Sequence, residues 1–562
     1  MNTSRPASPG RATVRQRLVS AACVLPLAAA VTGVVLWPSP GPSSLTRTEQ
    51  SVLPQTPAAL CAAPPTVPEG TDTDAGDEDL ASGGPSDTVG VRTLAVDPSS
   101  SLLFGEVSAT TTRIDADGNP LVPTIDTTDP DGSALKDPTA SGEFGASVRS
   151  IPRTKDRLTV RATAETAPGT GQGASDGGGT SDGGGADAGS KDPGAAVSDT
   201  VQVSTTTGGD YRSLALSRCA PPTVHGSFLG MSTSSGADAD LVLTNTSSRP
   251  ATASVQIRTP DGPASMGGRS RVVVPAGEQK HVLLESIAPD QDVTGLEVST
   301  VGAPLGMHVQ ATQRDGLSPG GGEQLSSLPD AAQDSVIPGI YAGPGTTATA
   351  VLMNSTGSDA HVELDAQGTG GTVDLGTDGK VDVPAGTVRS VPLKGIEGGG
   401  GLRVHSDVPV GAVVKSSAVS GKKPGATIAA PRDFQIAAPA PVLDDAAVQA
   451  LPTTGASGHL SLLAEQDTEV TIIPVGQEGD AGTPVTEKLT ADALTTVSAG
   501  DLKGTGGEVA GLVVVPDSAG DVRAAWVQSA RGKDKGLMLS TVPLRSSSGE
   551  DTQATTVGLD GQ

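Results

Sequence analysis

Two stretches match Gly-x-Ser-x-Gly, the pattern that presents a nucleophilic serine on a strand-to-helix elbow: Gly173 to Gly177 and Gly179 to Gly183. Both lie within Pro168 to Gly194, a run made almost wholly of Gly, Ser, Asp and Ala, which offers no elbow. Ser420 to Lys423 fits the Ser-x-x-Lys of penicillin-recognising enzymes, but the companion motifs are absent and the match falls in a turn between strands. The histidines His225, His281, His308, His361, His405 and His459 are scattered and show no His-Glu-x-x-His or other ligand spacing. Asp115-Ala116-Asp117-Gly118-Asn119 begins like a calcium loop. Pro120 then stands where an EF-hand needs glycine, and Asp126 where it needs glutamate, so a hairpin turn explains the same residues. No catalytic, cofactor-binding or metal-ligating residue is assigned, and the chain reads as a non-enzyme without a cofactor.

Asn245 and Asn354 each fit the Asn-x-Ser/Thr acceptor pattern. They occupy the same place in two copies of a repeat, where a turn-forming asparagine is expected. Trp526 is the one tryptophan outside the N-terminal apolar run. Aligning Ala525, Val527 and Ser529 with Met307, Val309 and Ala311 places it on an outer face with His308 and Val413, as a possible partner contact. Lys415, Lys422, Lys423 and Arg432 form a small basic cluster that reads as a solvated patch.

The chain has 562 residues, with 74 Gly and 44 Pro but only 2 Trp, 2 Tyr and 4 Phe. Asp and Glu outnumber Lys and Arg by 63 to 37, for a net charge of −26. Such a surface repels phosphate backbones, so nucleic acid is not an expected partner. Arg5, Arg11, Arg15 and Arg17 precede an uncharged run from Leu18 to Trp37, of roughly the length that spans a bilayer as a helix. The charge asymmetry predicts residues 1–17 in the cytoplasm and everything after Trp37 outside. The run is read as an anchor, with a cleaved signal segment as the alternative; the product is then single-pass, or secreted if cleavage occurs. Cys23 lies inside the run. Cys61 and Cys219 remain outside it, and an even count in an oxidising compartment predicts a disulfide. Closing so long a loop contributes about 5 kcal/mol as an idealised upper value.

Residues 38–85 form a spacer rich in Pro, Ser and Thr. Residues 86–221 form a β-rich first extracellular domain interrupted by the insertion 168–194. Its expected strands are Val89 to Val96, Leu102 to Ile114, Leu158 to Ala164, Val201 to Thr205 and Tyr211 to Leu216. From there the chain repeats itself three times, over 222–336, 337–440 and 441–546, with a period of roughly 106 to 110 residues. The copies open on Leu241-Val242-Leu243, Ala350-Val351-Leu352 and Leu460-Ser461-Leu462. Alternating strands follow, with inward sets Ala253, Val255 and Ile257; Val362, Leu364 and Ala366; and Val470 with Ile472. The turns Pro275-Ala276-Gly277 and Pro384-Ala385-Gly386 recur, with Thr490-Ala491-Asp492 in the third copy. Each copy then has a strand that starts with Gly-Leu, at Gly295, Gly401 and Gly511. Short strands at this spacing predict an all-β protein of tandem immunoglobulin-like sandwiches after an N-terminal transmembrane helix. Cores of Val, Leu, Ile, Ala and Thr are small, so neighbouring units are expected to support one another. Residues 547–562 read as a disordered tail.

Gly209-Asp210-Tyr211-Arg212-Ser213-Leu214 leading to Cys219-Ala-Pro-Pro, the Leu-Val-Leu-Thr-Asn and Pro-Ala-Gly elements of the first repeat, and Gly295-Leu296 to Gln310 resemble an actinobacterial family of membrane-anchored exported proteins of unknown function. The resemblance implies export and β-domains, and brings no catalytic residues. The expected role is a non-catalytic envelope scaffold or protein-interaction module, alternatively a module that binds cell-wall polymer or other carbohydrate. The partner is an unidentified envelope protein or wall polymer, with the membrane engaged through Leu18–Trp37.

Overall fold

The computed structural model describes residues 58–67, 84–108, 121–136, 138–164, 196–315, 318–419, 430–453, 457–517 and 522–546. The Leu18–Trp37 run, both Gly-x-Ser-x-Gly matches, Ser420–Lys423, Asp115–Asn119 and residues 547–562 lie outside them. Among the described residues the protein is all-β, broken only by short 3-10 turns, and no helix is long and apolar enough to cross a membrane.

Each repeat is built from two antiparallel sheets whose inner faces share one apolar cluster. In repeat 1 one sheet orders Gly262–Pro263, Ala251–Thr259, Thr294–Val301 and His225–Met231. The other orders Gln279–Leu283, Ala237–Thr244, Gly306–Asp315 and Ser318–Ser326. Repeat 3 has the same two sheets: Ala447–Ala450, Val509–Pro516, Thr468–Gly476 and Val485–Leu489, then Thr495–Ser498, Ser457–Ala464, Val522–Arg531 and Leu537–Pro543. In repeat 2 the 22-residue strand Gly398–Val419 belongs to both layers. Its first half pairs with Ala332–Ala342 and Ala360–Gly368, and its second half with Thr347–Met353 and Arg432–Ala437. Strand Ala332–Ala342 runs across the expected boundary at residue 336.

The inward sets read from period-two alternation are buried as expected: Ala253, Val255 and Ile257 in repeat 1, Val362, Leu364 and Ala366 in repeat 2, Val470 and Ile472 in repeat 3. The recurring turn is equivalent in all three copies. Gly277, Gly386 and Asp492 have φ of 75°, 73° and 59°. Asp359 Oδ1 accepts from Ala385 N, and Asp467 Oδ1 from Ala491 N, both at 2.9 Å.

The first unit sets the sheet Ala59–Cys61, Leu158–Thr163 and Thr124–Thr128 against a second sheet. That sheet orders Thr139–Ser141, Ala146–Thr154, Val89–Val96, Val197–Thr206 and Ser213–Arg218. The expected strand from Leu102 is instead a 3-10 turn, Ser101–Phe104. The Ser100 hydroxyl caps it by accepting from Leu102 N, and Gly105, with φ 79°, ends it. The disulfide joins Cys61 to Cys219 as expected.

The units are not strung out in a line. The outermost strands Ser213–Arg218, Ser318–Ser326, Arg432–Ala437 and Leu537–Pro543 lie side by side in that order, and the last meets the first. Four units thus close a ring around a central bundle of strand edges. One apolar cluster runs from Leu94, Val201 and Leu216 of the first unit into Val448, Leu512 and Trp526 of repeat 3. The first unit and repeat 3 therefore share one core at this junction. Small aliphatic cores leave apolar area on the outer faces of their sheets, and the ring buries it between units.

Candidate functional site

The ring places ionisable groups where its four outermost strands converge. Asp433, on Arg432–Ala437, is fully buried. Its Oδ2 accepts from the backbone N–H of Leu539 at 2.9 Å and of Leu214 at 3.4 Å, and its Oδ1 from Gly322 N at 3.3 Å. One carboxylate of repeat 2 thus takes backbone donors from the three other units. Those donors belong to sheet edges that would otherwise be buried unpaired. Gly321, with φ 99°, makes the approach possible, because a Cβ there would stand 2.4 Å from Asp433 Oδ1. Burial pushes the Asp433 carboxyl up to about 8, against the pull of these backbone donors and of Arg212.

Glu323 lies opposite Ala311, Gln435 opposite Ser416 and Ser540 opposite Gln528, which is one equivalent position in the three repeats. All three side chains point into the convergence and are buried. The Ser540 hydroxyl is 2.9 Å from both carboxylate oxygens of Glu323 and accepts from Leu216 N at 2.9 Å. Burial, reinforced by the nearby Asp433 charge, raises Glu323 well above the ordinary carboxylate range. Gln202 Nε2 donates to Gln324 Oε1 at 2.6 Å.

Arg212 is the cation of the region and is 2 % exposed. It reaches Asp534 Oδ1 at 3.0 Å, the Leu537 carbonyl at 3.1 Å and the Arg432 carbonyl at 3.3 Å, so one side chain from the first unit binds repeats 2 and 3. Beside it a second buried set joins the first unit to repeat 3. Arg218 Nε is 2.6 Å from Asp199 Oδ1, and Asp199 Oδ2 accepts from Gln449 Nε2 and Ala450 N, both at 2.9 Å. These groups are shielded from solvent and bonded mainly to one another, although Gln324 Nε2 and Gln435 Oε1 are left without a partner among the described residues. The chemistry they supply is cohesion between units.

The residues singled out in the sequence are dispersed. Trp526 does not face outward: it is 2 % exposed, packs with Leu460, Leu462 and Val542, and donates from Nε1 to Gln528 Oε1 at 2.7 Å. Leu460 pairs with Trp526 as Leu241 pairs with Val309, so its equivalents are Val309 and Val414 rather than His308 and Val413. A one-residue slip reverses the face. It went unseen because Val522–Arg531 is buried on both sides, with Ala525 and Val527 packed on Gly339 of repeat 2.

Asn245 and Asn354 are fully buried and used alike. Asn245 Nδ2 donates to the carbonyls of Arg249 and Val274 at 2.7 and 3.0 Å; Asn354 Nδ2 donates to those of Ser358 and Val383 at 2.7 and 2.9 Å. The hydroxyls of Ser247 and Thr356 each donate to the Oδ1 of their asparagine at 2.7 Å, which explains the acceptor-like spelling.

His281, His361 and His405 pair with Asp240, Asp382 and Asp334 at 2.6, 2.7 and 2.6 Å. Burial takes His308 down to about 4, and lowers His459. Among the described residues no three His, Cys, Asp or Glu side chains come together as a metal set. Lys415 lies 4.5 Å from the Phe434 ring centroid, and Arg432 pairs with Asp315 at 3.6 Å, while Lys422 and Lys423 lie outside the described residues. A groove of about 270 Å³ lies where the links between repeats meet, lined by Pro329, Val336, Ala412, Pro439, Pro441 and Arg523.

The signal for the convergence was faint. Three equivalent positions carry three different polar residues, and Arg212 sits in the motif Gly209 to Leu214 without any partner nearby in sequence. No curated protein matches the chain. Residues 178–500, more than half of the 562, match a family of unknown function, DUF5719, and the chain belongs to that family.

Proposed function

We propose that the chain is a non-catalytic extracytoplasmic envelope protein, in which a stiff β-ring serves as a scaffold or protein-interaction module close to the membrane. The carrying observation is the closure of four units around Asp433 and Arg212, with the N-terminal side of the ring tied down covalently through Cys61–Cys219. Such a body changes shape little on binding and presents the outer faces of several sheets at fixed angles. The paired sheets of each repeat support the immunoglobulin-like reading, and the Arg-flanked run Leu18–Trp37 supports a membrane anchor. The alternative, a module that binds cell-wall polymer or other carbohydrate, calls for an aromatic face on which a sugar ring can stack, and the buried Trp526 does not supply one.

The test is crosslinking of the tagged, full-length protein in intact cells, followed by fractionation and mass spectrometry. The expected result is recovery in the membrane fraction, with discrete crosslinks from outer sheet faces to particular envelope proteins. Recovery in the cytosol, or polysaccharide retention with no protein crosslink, overturns the reading.

A further inference from the structure

Three of the four seams in the ring share one design. At each, an apolar side chain of the following unit fills the space above the glycine of the Gly-Leu pair. A Cβ on Gly295 would stand 2.3 Å from Met353 Sδ, one on Gly401 2.2 Å from Leu463 Cδ1, and one on Gly511 2.5 Å from Leu94 Cδ2. Apolar clusters cross the same seams. Val351, Val413 and Ile436 of repeat 2 join the cluster of repeat 1. Val336, on the strand Ala332–Ala342 that pairs into the sheet of repeat 2, packs with Leu463 and Leu494 of repeat 3. The first unit is continuous with repeat 3, as described above.

The seam between the first unit and repeat 1 departs from this design. Three equivalent positions carry Met353, Val413 and Lys415 in repeat 2, and Leu463, Ala525 and Val527 in repeat 3. In repeat 1 they carry Thr244, His308 and Gln310. Among the described residues no apolar cluster crosses this seam. Polar contacts hold it: Gln202 to Gln324 at 2.6 Å, Arg314 to Asp210 at 2.9 Å, and Arg157 to the Gly277 carbonyl at 3.0 Å.

In place of a knob from repeat 1, a strap from the N-terminal side lies over it. Leu60 occupies the space above Gly306, where a Cβ would stand 2.2 Å from Leu60 Cδ2. Leu60 and Ala220 exchange backbone hydrogen bonds at 2.9 and 3.3 Å, and Thr66 N donates to Gln310 Oε1 at 3.3 Å. Cys61, next to Leu60, is bonded to Cys219, next to Ala220. The strap's own strand, Ala59–Cys61, has three residues.

We infer that this seam is the built-in opening of the ring, and that the strap, latched by the Cys61–Cys219 disulfide, keeps it shut. Parting an apolar seam exposes apolar area to water, whereas a polar seam exchanges its hydrogen bonds for water at small net cost. A three-residue strand is too short to stay docked once its covalent tie is gone. Release takes a dithiol, which gives two electrons and two protons, leaves Cys61 and Cys219 as thiols, and becomes a disulfide itself. The inference rests on the ring and not on the envelope role.

Hydrogen exchange read by mass spectrometry tests it on the full chain, oxidised, after dithiothreitol, and as the Cys61→Ser/Cys219→Ser double variant. The double variant covers the case in which the reductant does not reach the buried sulfurs. The expected result is exchange faster by ~10-fold or more in 58–67, 200–206 and 318–326, with segments around Gly295, Gly401 and Gly511 unchanged. Leu60→Ser, which keeps the disulfide, is expected to give a smaller rise in the same segments. No change in the double variant, a uniform loss of protection at all four seams, or a rise centred on Gly511 overturns the inference.

Discussion

Asp433 Oδ2 accepts the backbone N–H of Leu539 at 2.9 Å, so a carboxylate of repeat 2 terminates the sheet edge of repeat 3. The same side chain takes donors from Leu214 and Gly322. Asp433→Leu would leave three buried N–H groups without an acceptor. At about 1–3 kcal/mol for each buried orphan, the expected loss is roughly 3–5 kcal/mol, allowing for relaxation, as a fall in the urea unfolding midpoint. Asp433→Asn keeps an acceptor and is expected to cost less. An Asp433→Leu protein within about 1 kcal/mol of wild type would mean that the convergence does not hold the ring.

Both buried carboxyls tie stability to pH in one direction. Glu323 is raised above its ordinary 4.5, and Asp433 from 3.8 to about 8. The native protein therefore keeps protons that the unfolded chain has already released. The stability these two groups contribute is greatest below about 4, falls as pH rises through that window, and levels off once the folded-state values are passed, above about 8 for Asp433. Each group contributes at most ~1.4 kcal/mol per pH unit. Glu323→Gln is expected to flatten the decline above pH 4.5 in urea melts. An unchanged slope in that variant assigns the pH dependence elsewhere.

The repeats and their inward faces were legible because each strand presents one face to its own core, as Ala253, Val255 and Ile257 do. Legibility failed where a strand is covered twice. Trp526 and Val527 are both buried, so alternation carried no phase, and only the pairing with Leu460 fixes which side faces the repeat's own core. Ring closure was out of reach for a different reason. It depends on Leu94 meeting Gly511, two residues far apart in the chain and alike in nothing that periodicity measures. A trace of it was present all the same. Glycine recurs at Gly295, Gly401 and Gly511, at the start of strands where an interior glycine weakens pairing, and the sockets supply the reason.

Those sockets can be tested by a cycle at Gly401 and Leu463. Gly401→Ala drives a methyl into the space that Leu463 fills, at an expected cost of about 1–3 kcal/mol. Leu463→Ala empties the same space and is expected to cost about 2–5 kcal/mol. In the double variant the new methyl fills part of the gap, so the two losses should not add. A favourable coupling above ~1 kcal/mol in thermal melts is expected; strict additivity would show that the two residues do not share the space.

Lys415 gives a prediction about reactivity. Its ammonium is half-buried over the Phe434 ring, and among the described residues no carboxylate lies within ion-pair distance of it. Burial takes it from 10.5 down to about 8. At pH 7.5 roughly a quarter of the Lys415 amines would then be neutral, against about one in a thousand for an ordinary lysine. The ring favours the cation and opposes part of this shift, so Phe434→Leu is expected to lower the value further. Limiting acetylating reagent on the folded protein, with peptides quantified by mass spectrometry, should label Lys415 ahead of Lys155, whose side chain is 70 % exposed. The Lys415 profile should have its midpoint near 8. Labelling slower than Lys155 across the whole range, or a midpoint near 10.5, would place the amine in ordinary solvent or out of reach of the reagent.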